Sequence, residues 1–179
     1  MPFSNDKKTF LSKLDKSKKG SIDEKIIPLI NLINSNENYY TTSSCSGRVY
    51  LWRGTGKKNE TEWLKVSHEL ITEEFFTIPR TNDVVWLRVE PLILHVCCID
   101  LKQANFFLEL VKTVYKKSSL LSFQNKIVVE VRGSEFVEMP FYQEGKILFN
   151  KDLAWMINLI NEKLTLMWNK QHKLEKKIM

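Results

Sequence analysis

The spacing of apolar and polar positions changes several times along the chain. Phe10, Leu11 and Leu14 gather on one side of a short amphipathic stretch behind Ser4, and Ser21-Ile22-Asp23-Glu24 has the spacing of a capping box that would open a second helix. Pro28 falls inside that second pattern, where a missing amide donor bends the helix or delays its start. From Tyr39 onward aromatic and β-branched residues alternate with polar ones, which predicts strands over 40–42, 49–52, 63–66 and 84–89. Residues 54–59 read as a hairpin connection, and 68–76 as a turn followed by a short helix capped by Thr72.

Residues 92–99, Leu-Ile-Leu-His-Val-Cys-Cys-Ile, are almost continuously apolar, as expected of a central strand covered on both faces. Asp100 then caps a helix whose Leu101, Ala104, Leu108, Val111 and Tyr115 share one face. Residues 126–132 and 136–141 resume the strand pattern, and Arg132-Gly133-Ser134-Glu135 between them predicts a hairpin. A last helix begins near Asp152, with Leu153, Ile157, Ile160, Leu164 and Met167 or Trp168 on one stripe. This order of elements argues for an α+β fold with helices packed outside a curved or barrel-like mixed β-sheet, and a weak β-then-α recurrence is compatible with internal duplication.

The chain has 179 residues and its five prolines are scattered without a linker, so one domain spanning 1–179 is expected. Hydrophobic residues at 43% and charged residues at 27% exclude disordered and fibrous classes. The Lys-rich N-terminal stretch lacks a signal-peptide core, and no run approaches the ~20 apolar residues of a membrane span, so a cytoplasmic protein with no membrane association is expected. Three cysteines, two of them adjacent, fit neither a disulfide framework nor a paired zinc spacing; reduced thiols and no structural metal are expected. A net charge of +6, concentrated toward the ends, makes polyanions plausible partners.

The least ordinary segment is Thr41-Thr42-Ser43-Ser44-Cys45-Ser46-Gly47-Arg48, six hydroxyl or thiol residues followed by a glycine and an arginine. It is either a polar edge strand leading into a tight turn, or a site where hydroxyls, a closely approachable backbone and a cation meet a ligand. Cys45 could be a nucleophile beside His68 or His95, but no hydrolase signature surrounds it and a small half-buried thiol is the commoner role. His95 is either a hydrogen-bonded core histidine or a base at the edge of a pocket, and His68 stands at a sheet rim or in an exposed turn. Arg88 and Glu90 alternate with Leu87 and Val89 and so share a strand face, as an ion pair or a binding pair. Trp52 and Trp63 are core residues unless they face outward, where they could stack on bases. No GxGxxG follows a strand, and GxxxxGK[ST], HExxH and GxSxG are absent, so a Rossmann nucleotide site is not signalled.

Four segments occur in an order that resembles a known family: residues 15–23 (Asp-Lys-Ser-Lys-Lys-Gly-Ser-Ile-Asp), 40–48 (Tyr-Thr-Thr-Ser-Ser-Cys-Ser-Gly-Arg), 63–68 (Trp-Leu-Lys-Val-Ser-His) and 88–96 (Arg-Val-Glu-Pro-Leu-Ile-Leu-His-Val). With a weaker continuation through Val131-Arg132, Pro140 and Gly145, the chain resembles the tRNA wybutosine-synthesizing protein 3 family over nearly its whole length. Where some relatives carry Asn-Ser-Gly after the middle helix, this chain has Lys117-Ser118-Ser119-Leu120.

The resemblance implies an S-adenosylmethionine-dependent methyltransferase without a Rossmann cofactor motif. Its substrate would be ring nitrogen N-4 of the precursor 7-aminocarboxypropyl-demethylwyosine, at the guanosine 3′ of the anticodon in tRNA(Phe). Thr42, Ser43, Ser44, Cys45, Ser46 and Gly47 are then the expected cofactor-binding residues, and His95 or His68 the base, should the attacking nitrogen have to lose a proton. Lys18, Lys19, Arg48, Arg88 and Arg132 are the expected rim gripping the anticodon stem-loop. The competing reading is a non-catalytic basic RNA-binding module; the oligomeric state stays open. The enzymatic reading requires the hydroxyl-rich turn and the His95 strand to converge on one cleft.

Overall fold

Pro28 sets where the second helix starts in the computed structural model, which describes residues 2–12, 22–55, 57, 60–149 and 152–179. After α1 (Phe3–Leu11), a single 3-10 turn over Glu24–Ile26 leads into α2 (Ile27–Ser35), with Pro28 in its first turn. There the missing N–H would have had no intrahelical acceptor. Ser21 of the expected capping box, and Leu14, lie outside the described residues. Asp23 makes no side-chain cap bond to the turn it precedes.

The strands are β1 (Tyr39–Cys45), β2 (Arg48–Gly54), β3 (Thr61–Ser67), β4 (Val85–Glu90) and β5 (Ile93–Cys98), followed by α3 (Leu101–Lys112). Then come β6 (Ser119–Ser122), β7 (Ile127–Arg132), β8 (Val137–Gln143), β9 (Lys146–Ile147) and α4 (Leu153–Ile178). The α+β class is as expected, and the sheets are not those of a Rossmann fold. The strands form two sheets, however, rather than one curved mixed sheet, in the orders β1-β5-β7-β6 and β3-β2-β4-β8-β9. Every pairing among the described residues is antiparallel.

The expected hairpin across 132–135 is corrected as well. β7 lies between β5 and β6 in the smaller sheet, whereas β8 lies between β4 and β9 in the larger one. Instead of closing a reverse turn, Gly133 donates its N–H to the carbonyl of Leu92 at 2.9 Å. The hairpin partner of β7 is β6, whose Ser-Leu-Leu-Ser sequence is too short to show a period.

The chain divides into two compact units, 1–46 with 92–134 and 167–179, and 47–91 with 135–166. In the first, Leu94 and Val96 of β5 and Val129 and Val131 of β7 are fully buried on one sheet face. They join Leu29 and Ile33 of α2, Phe107 and Val111 of α3 and Leu174 of α4 in one cluster. Asp100 caps α3 as expected, accepting from Gln103 N at 2.7 Å. Phe107 rather than Leu101 fills the apolar face, Leu101 being exposed. α1 covers one end of the other face: the Phe3 and Phe10 rings lie 5.3 and 5.7 Å from Tyr40, whose hydroxyl donates to Asp6 Oδ2 at 2.6 Å.

In the second unit Val49, Leu51, Leu87 and Val89 are fully buried on one face, with Phe141 and, 4.8 Å from it, Phe76. Thr72 precedes the short 3-10 turn Glu73–Phe76 but supplies only its carbonyl, to Phe75 N at 3.1 Å. The Asn161 amide exchanges two 2.9 Å hydrogen bonds with the backbone of Ile71, fastening α4 beside that turn. No helix among the described residues is long and apolar enough to cross a membrane.

Candidate functional site

The hydroxyl-rich segment and the His95 strand are hydrogen-bonded neighbours, because β1 pairs along its length with β5. Residues 42–45 are strand, in line with the edge-strand alternative, and the chain turns at Ser46-Gly47, where Gly47 sits at φ 96°, the left-handed region that glycine enters without strain. β1 is an edge strand, which explains why it tolerates so many hydroxyls. Thr41 faces Val96 and Ser43 faces His95, so Thr42 is the extra residue of a β-bulge. Its hydroxyl donates to the His95 carbonyl at 3.4 Å.

Register extends this pairing across the whole sheet: Ser43 opposes His95, His95 opposes Glu130, and Glu130 opposes Ser119. Leu94, Val96, Val129 and Val131 take the core face, so alternation places these four polar residues together on the other. His95 Nε2 stands 3.2 Å from Glu130 Oε2, and Arg132 Nη1 4.0 Å from Glu130 Oε1. A carboxylate only accepts, so Nε2 carries the proton and a neutral ring keeps its lone pair on Nδ1. The side chains are 25% exposed for His95 and 15% for Glu130, which leaves the ring reachable while its orientation is held. Glu130 escaped the sequence reading; the signal was the alternation of Val128, Glu130 and Arg132 with two core valines.

Either side of this row is fixed by buried polar contacts. Ser46, fully buried, donates both its N–H and its hydroxyl to Asp23 Oδ2, at 3.0 and 3.2 Å. Its hydroxyl therefore anchors the end of β1, whereas Ser43 is exposed and Thr42, Ser44 and Cys45 are half-buried. At the α1 end, burial and the acceptor Asp6 raise the Tyr40 hydroxyl far above its ordinary pKa, and Lys126 Nζ stands 2.6 Å from Asp6 Oδ2. Burial also pushes the Cys97 thiol up, and the Cys98 thiol up to about 12, so neither is a thiolate near neutral pH.

In the second unit the face opposite the core carries Arg48, Tyr50 and Trp52 on β2, paired in register with Glu90, Arg88 and Trp86 on β4. Glu90 accepts from Arg48 Nε and Nη2 at 2.9 and 2.7 Å and from the Tyr50 hydroxyl at 2.7 Å. Burial by itself would raise the Glu90 carboxyl, but the Tyr50 hydrogen bond and the Arg48 and Arg88 charges outweigh it and hold the pKa below the usual carboxylate range. Arg88 pairs with Glu138 across to β8, so the cross-strand pairs are tighter than the 3.6 Å contact between Arg88 and Glu90. His68, half-buried after β3, donates from Nδ1 to the Gly47 carbonyl at 3.1 Å. Lys18 and Lys19 lie outside the described residues.

A family model described as Methyltransferase TYW3 matches residues 5–179. The chain belongs to the methyltransferase TYW3 family. A TYW3-family relative from Methanocaldococcus jannaschii, named tRNA(Phe) 7-((3-amino-3-carboxypropyl)-4-demethylwyosine(37)-N(4))-methyltransferase, is 35% identical over 175 residues, covering 92% of this chain and 90% of the relative. The tRNA wybutosine-synthesizing protein 3 homolog of Xenopus laevis is 34% identical over 172 residues, 90% of this chain and 68% of the relative. The chain spans 63% of the human homolog's length. Among solved structures, that of the PH1069 protein from Pyrococcus horikoshii superimposes with a TM-score of 0.90 at 32% identity, covering 99% of this chain and 96% of that one. In this TYW3-family fold the segments 40–48, 63–68 and 88–96 are β1 with its turn, β3, and β4 with β5; most of 15–23 lies outside the described residues.

Proposed function

We propose that this protein is an S-adenosylmethionine-dependent tRNA methyltransferase acting on N-4 of 7-aminocarboxypropyl-demethylwyosine, 3′ of the anticodon in tRNA(Phe). The observation that carries the reading is the row Ser43–His95–Glu130, with Ser43 exposed between half-buried Thr42 and Ser44, in a chain whose relatives bear that activity in their names. S-adenosylmethionine supplies an electrophilic methyl group on a sulfonium. The donors and acceptors of Thr42, Ser43, Ser44 and Cys45, with the close backbone at Gly47, suit its hydroxyl and amino-acid groups; Ser46 acts behind them by holding the strand end to Asp23.

Methylating a ring nitrogen that bears hydrogen would form an N–C bond as the donor's S–CH3 bond breaks, its electron pair staying on sulfur in a neutral thioether, and would release one proton. His95, its Nε2–H spent on Glu130, takes that proton at Nδ1 and passes it to solvent. Glu130 is a positioning residue here, fixing tautomer and ring orientation. His68, whose Nδ1–H is bound to Gly47 O, is the second candidate base, through Nε2. Alignment of nitrogen and methyl carbon, with water excluded, supplies most of the acceleration. An unpaired loop base can be splayed into a protein pocket, and Arg132, 55% exposed, offers a cation for its phosphates; Lys18 and Lys19, the other cations expected there from sequence, lie outside the described residues. The proposed compartment is the cytoplasm, as expected from the sequence.

The deciding experiment is incubation with labelled S-adenosylmethionine and tRNA(Phe) carrying the precursor, followed by mass analysis of the nucleoside. A methylated product that disappears in His95→Ala supports the reading. RNA binding without cofactor binding or product leaves the non-catalytic RNA-binding module instead.

A further inference from the structure

We infer that the outer face of the five-stranded sheet is a stacking platform for unpaired RNA bases, one that binds through flat surfaces rather than net charge. The inference rests on the proposed RNA substrate and adds where, and by what force, unpaired nucleotides are held. The Arg48 guanidinium lies over the Trp63 ring at 4.5 Å and the Tyr50 ring at 5.1 Å. Arg88 lies over Trp52 at 5.0 Å and Tyr50 at 5.7 Å, and Trp52 stacks on Trp86 at 5.9 Å with 20° between planes. Two guanidiniums and four aromatic rings thus share one layer, because β2 and β4 alternate with fully buried Val49, Leu51, Leu87 and Val89 on the other side.

A phosphate clamp would leave those guanidiniums unpaired, and they are not. Arg48 is bound by Glu90 and Arg88 by Glu138, so two cations face two anions and the layer is neutral. The same carboxylates fix the guanidinium planes against the rings, removing their rotamer entropy before any ligand arrives. What faces solvent is flat surface: Trp63 is 40% exposed and the Arg48 and Arg88 side chains 24% and 26%, while Tyr50 and Trp52, 3% and 5% exposed, are the buried floor on which the guanidiniums lie. Bases stack on indole and guanidinium planes alike, and a sheet face carrying aromatics is a recurring way to hold splayed bases. Two arginines expected from sequence to grip phosphate are thereby reassigned to stacking, leaving Arg132 as the exposed cation of that set among the described residues.

The test measures the affinity of the unaltered full chain and its variants for the unmodified anticodon stem-loop of tRNA(Phe), as a function of salt, without cofactor. Trp63→Ala should weaken binding about 5- to 100-fold while leaving the slope of log affinity against log salt unchanged. Trp63→Phe, which keeps a ring, should recover most of the loss. Arg48→Lys, which keeps the charge and loses the plane, should weaken binding in the same salt-independent way. By contrast, Arg132→Ala should lower the salt slope by about one. Trp63→Ala binding within about twofold of the unaltered chain, or a loss accompanied by a smaller salt slope, overturns the platform alone. If the unaltered chain binds no RNA, both the platform and the proposed substrate fall; methyl transfer by a chain in which Trp63 is irrelevant keeps the enzyme and removes only the platform.

Discussion

His95 Nε2 and Glu130 Oε2 face each other at 3.2 Å across neighbouring antiparallel strands, in direct register. The carboxylate can only accept, so it selects the ring tautomer whose free lone pair is on Nδ1. Glu130→Ala should lower the single-turnover rate of methyl transfer about 10- to 100-fold with little change in RNA affinity, whereas Glu130→Gln, which keeps an acceptor, should lose much less. His95→Ala should cost about 100-fold or more. Nitrogen-15 chemical shifts of His95 report the tautomer independently of turnover: a full rate in Glu130→Ala despite a scrambled tautomer would remove the dyad from the mechanism.

Asp23 Oδ2 receives both the N–H and the hydroxyl of buried Ser46. Replacing Asp23 by Ala strips a charged acceptor from two buried donors, and should destabilise the fold by about 2–4 kcal/mol in urea unfolding. Ser46→Ala removes only the hydroxyl and should cost about 1 kcal/mol. Equal losses for the two would mean that the backbone N–H contributes nothing.

Glu90 predicts an acid-limb effect. Its folded pKa lies below the ordinary carboxylate value, so its contribution is complete above the unfolded pKa of about 4.3 and fades as pH falls through the lower folded value. Glu90→Gln should be less stable than the unaltered chain by about 1–3 kcal/mol at neutral pH. The gap between their melting temperatures should close as pH drops below about 4. A gap that widens in acid would contradict the assigned sign.

The three thiols should separate cleanly. Cys97 and Cys98 are each 2% exposed and pushed up in pKa, chiefly by burial, whereas Cys45 is half-buried. A thiol reagent should therefore modify Cys45 in the native protein and all three cysteines after denaturation. Cys45→Ser should keep methyl transfer within about threefold, since no covalent step passes through the thiol. Abolished turnover in that folded variant would revive the nucleophile reading.

Most elements could be read from local pattern, because Pro28, Asp100 and the run 92–99 each act within a few residues of themselves. What could not be read was partnership. Residues 126–132 and 136–141 look like the arms of a hairpin, yet each finds its partner strands elsewhere in the chain, and no period in a ten-residue window encodes that. Glu130 was invisible for the same reason: it matters only because register brings it opposite a residue 35 positions earlier. The hydroxyl run was noticed by composition, and an edge strand leading into a turn was one of its two readings; only the sheet order, which leaves one rim of β1 without a neighbour, decides where those serines and threonines sit. Arg48 and Arg88 were legible as cations and not as neutralised planes, since Glu90 and Glu138 reach them only across strands.

Thr42 has a consequence for any change of length in β1. Tyr39 and Thr41 point inward before it and Ser44 after it, so inward positions are odd-numbered on one side of Thr42 and even-numbered on the other. In an uninterrupted ladder Thr42 would stand against His95, and Ser43 would turn toward the apolar interior. Inserting a residue between Thr42 and Cys45 without a second bulge would therefore invert which hydroxyls look outward, whereas deleting Thr42 would close the bulge and leave Ser43 against His95. For this strand, parity is as binding a constraint as residue type.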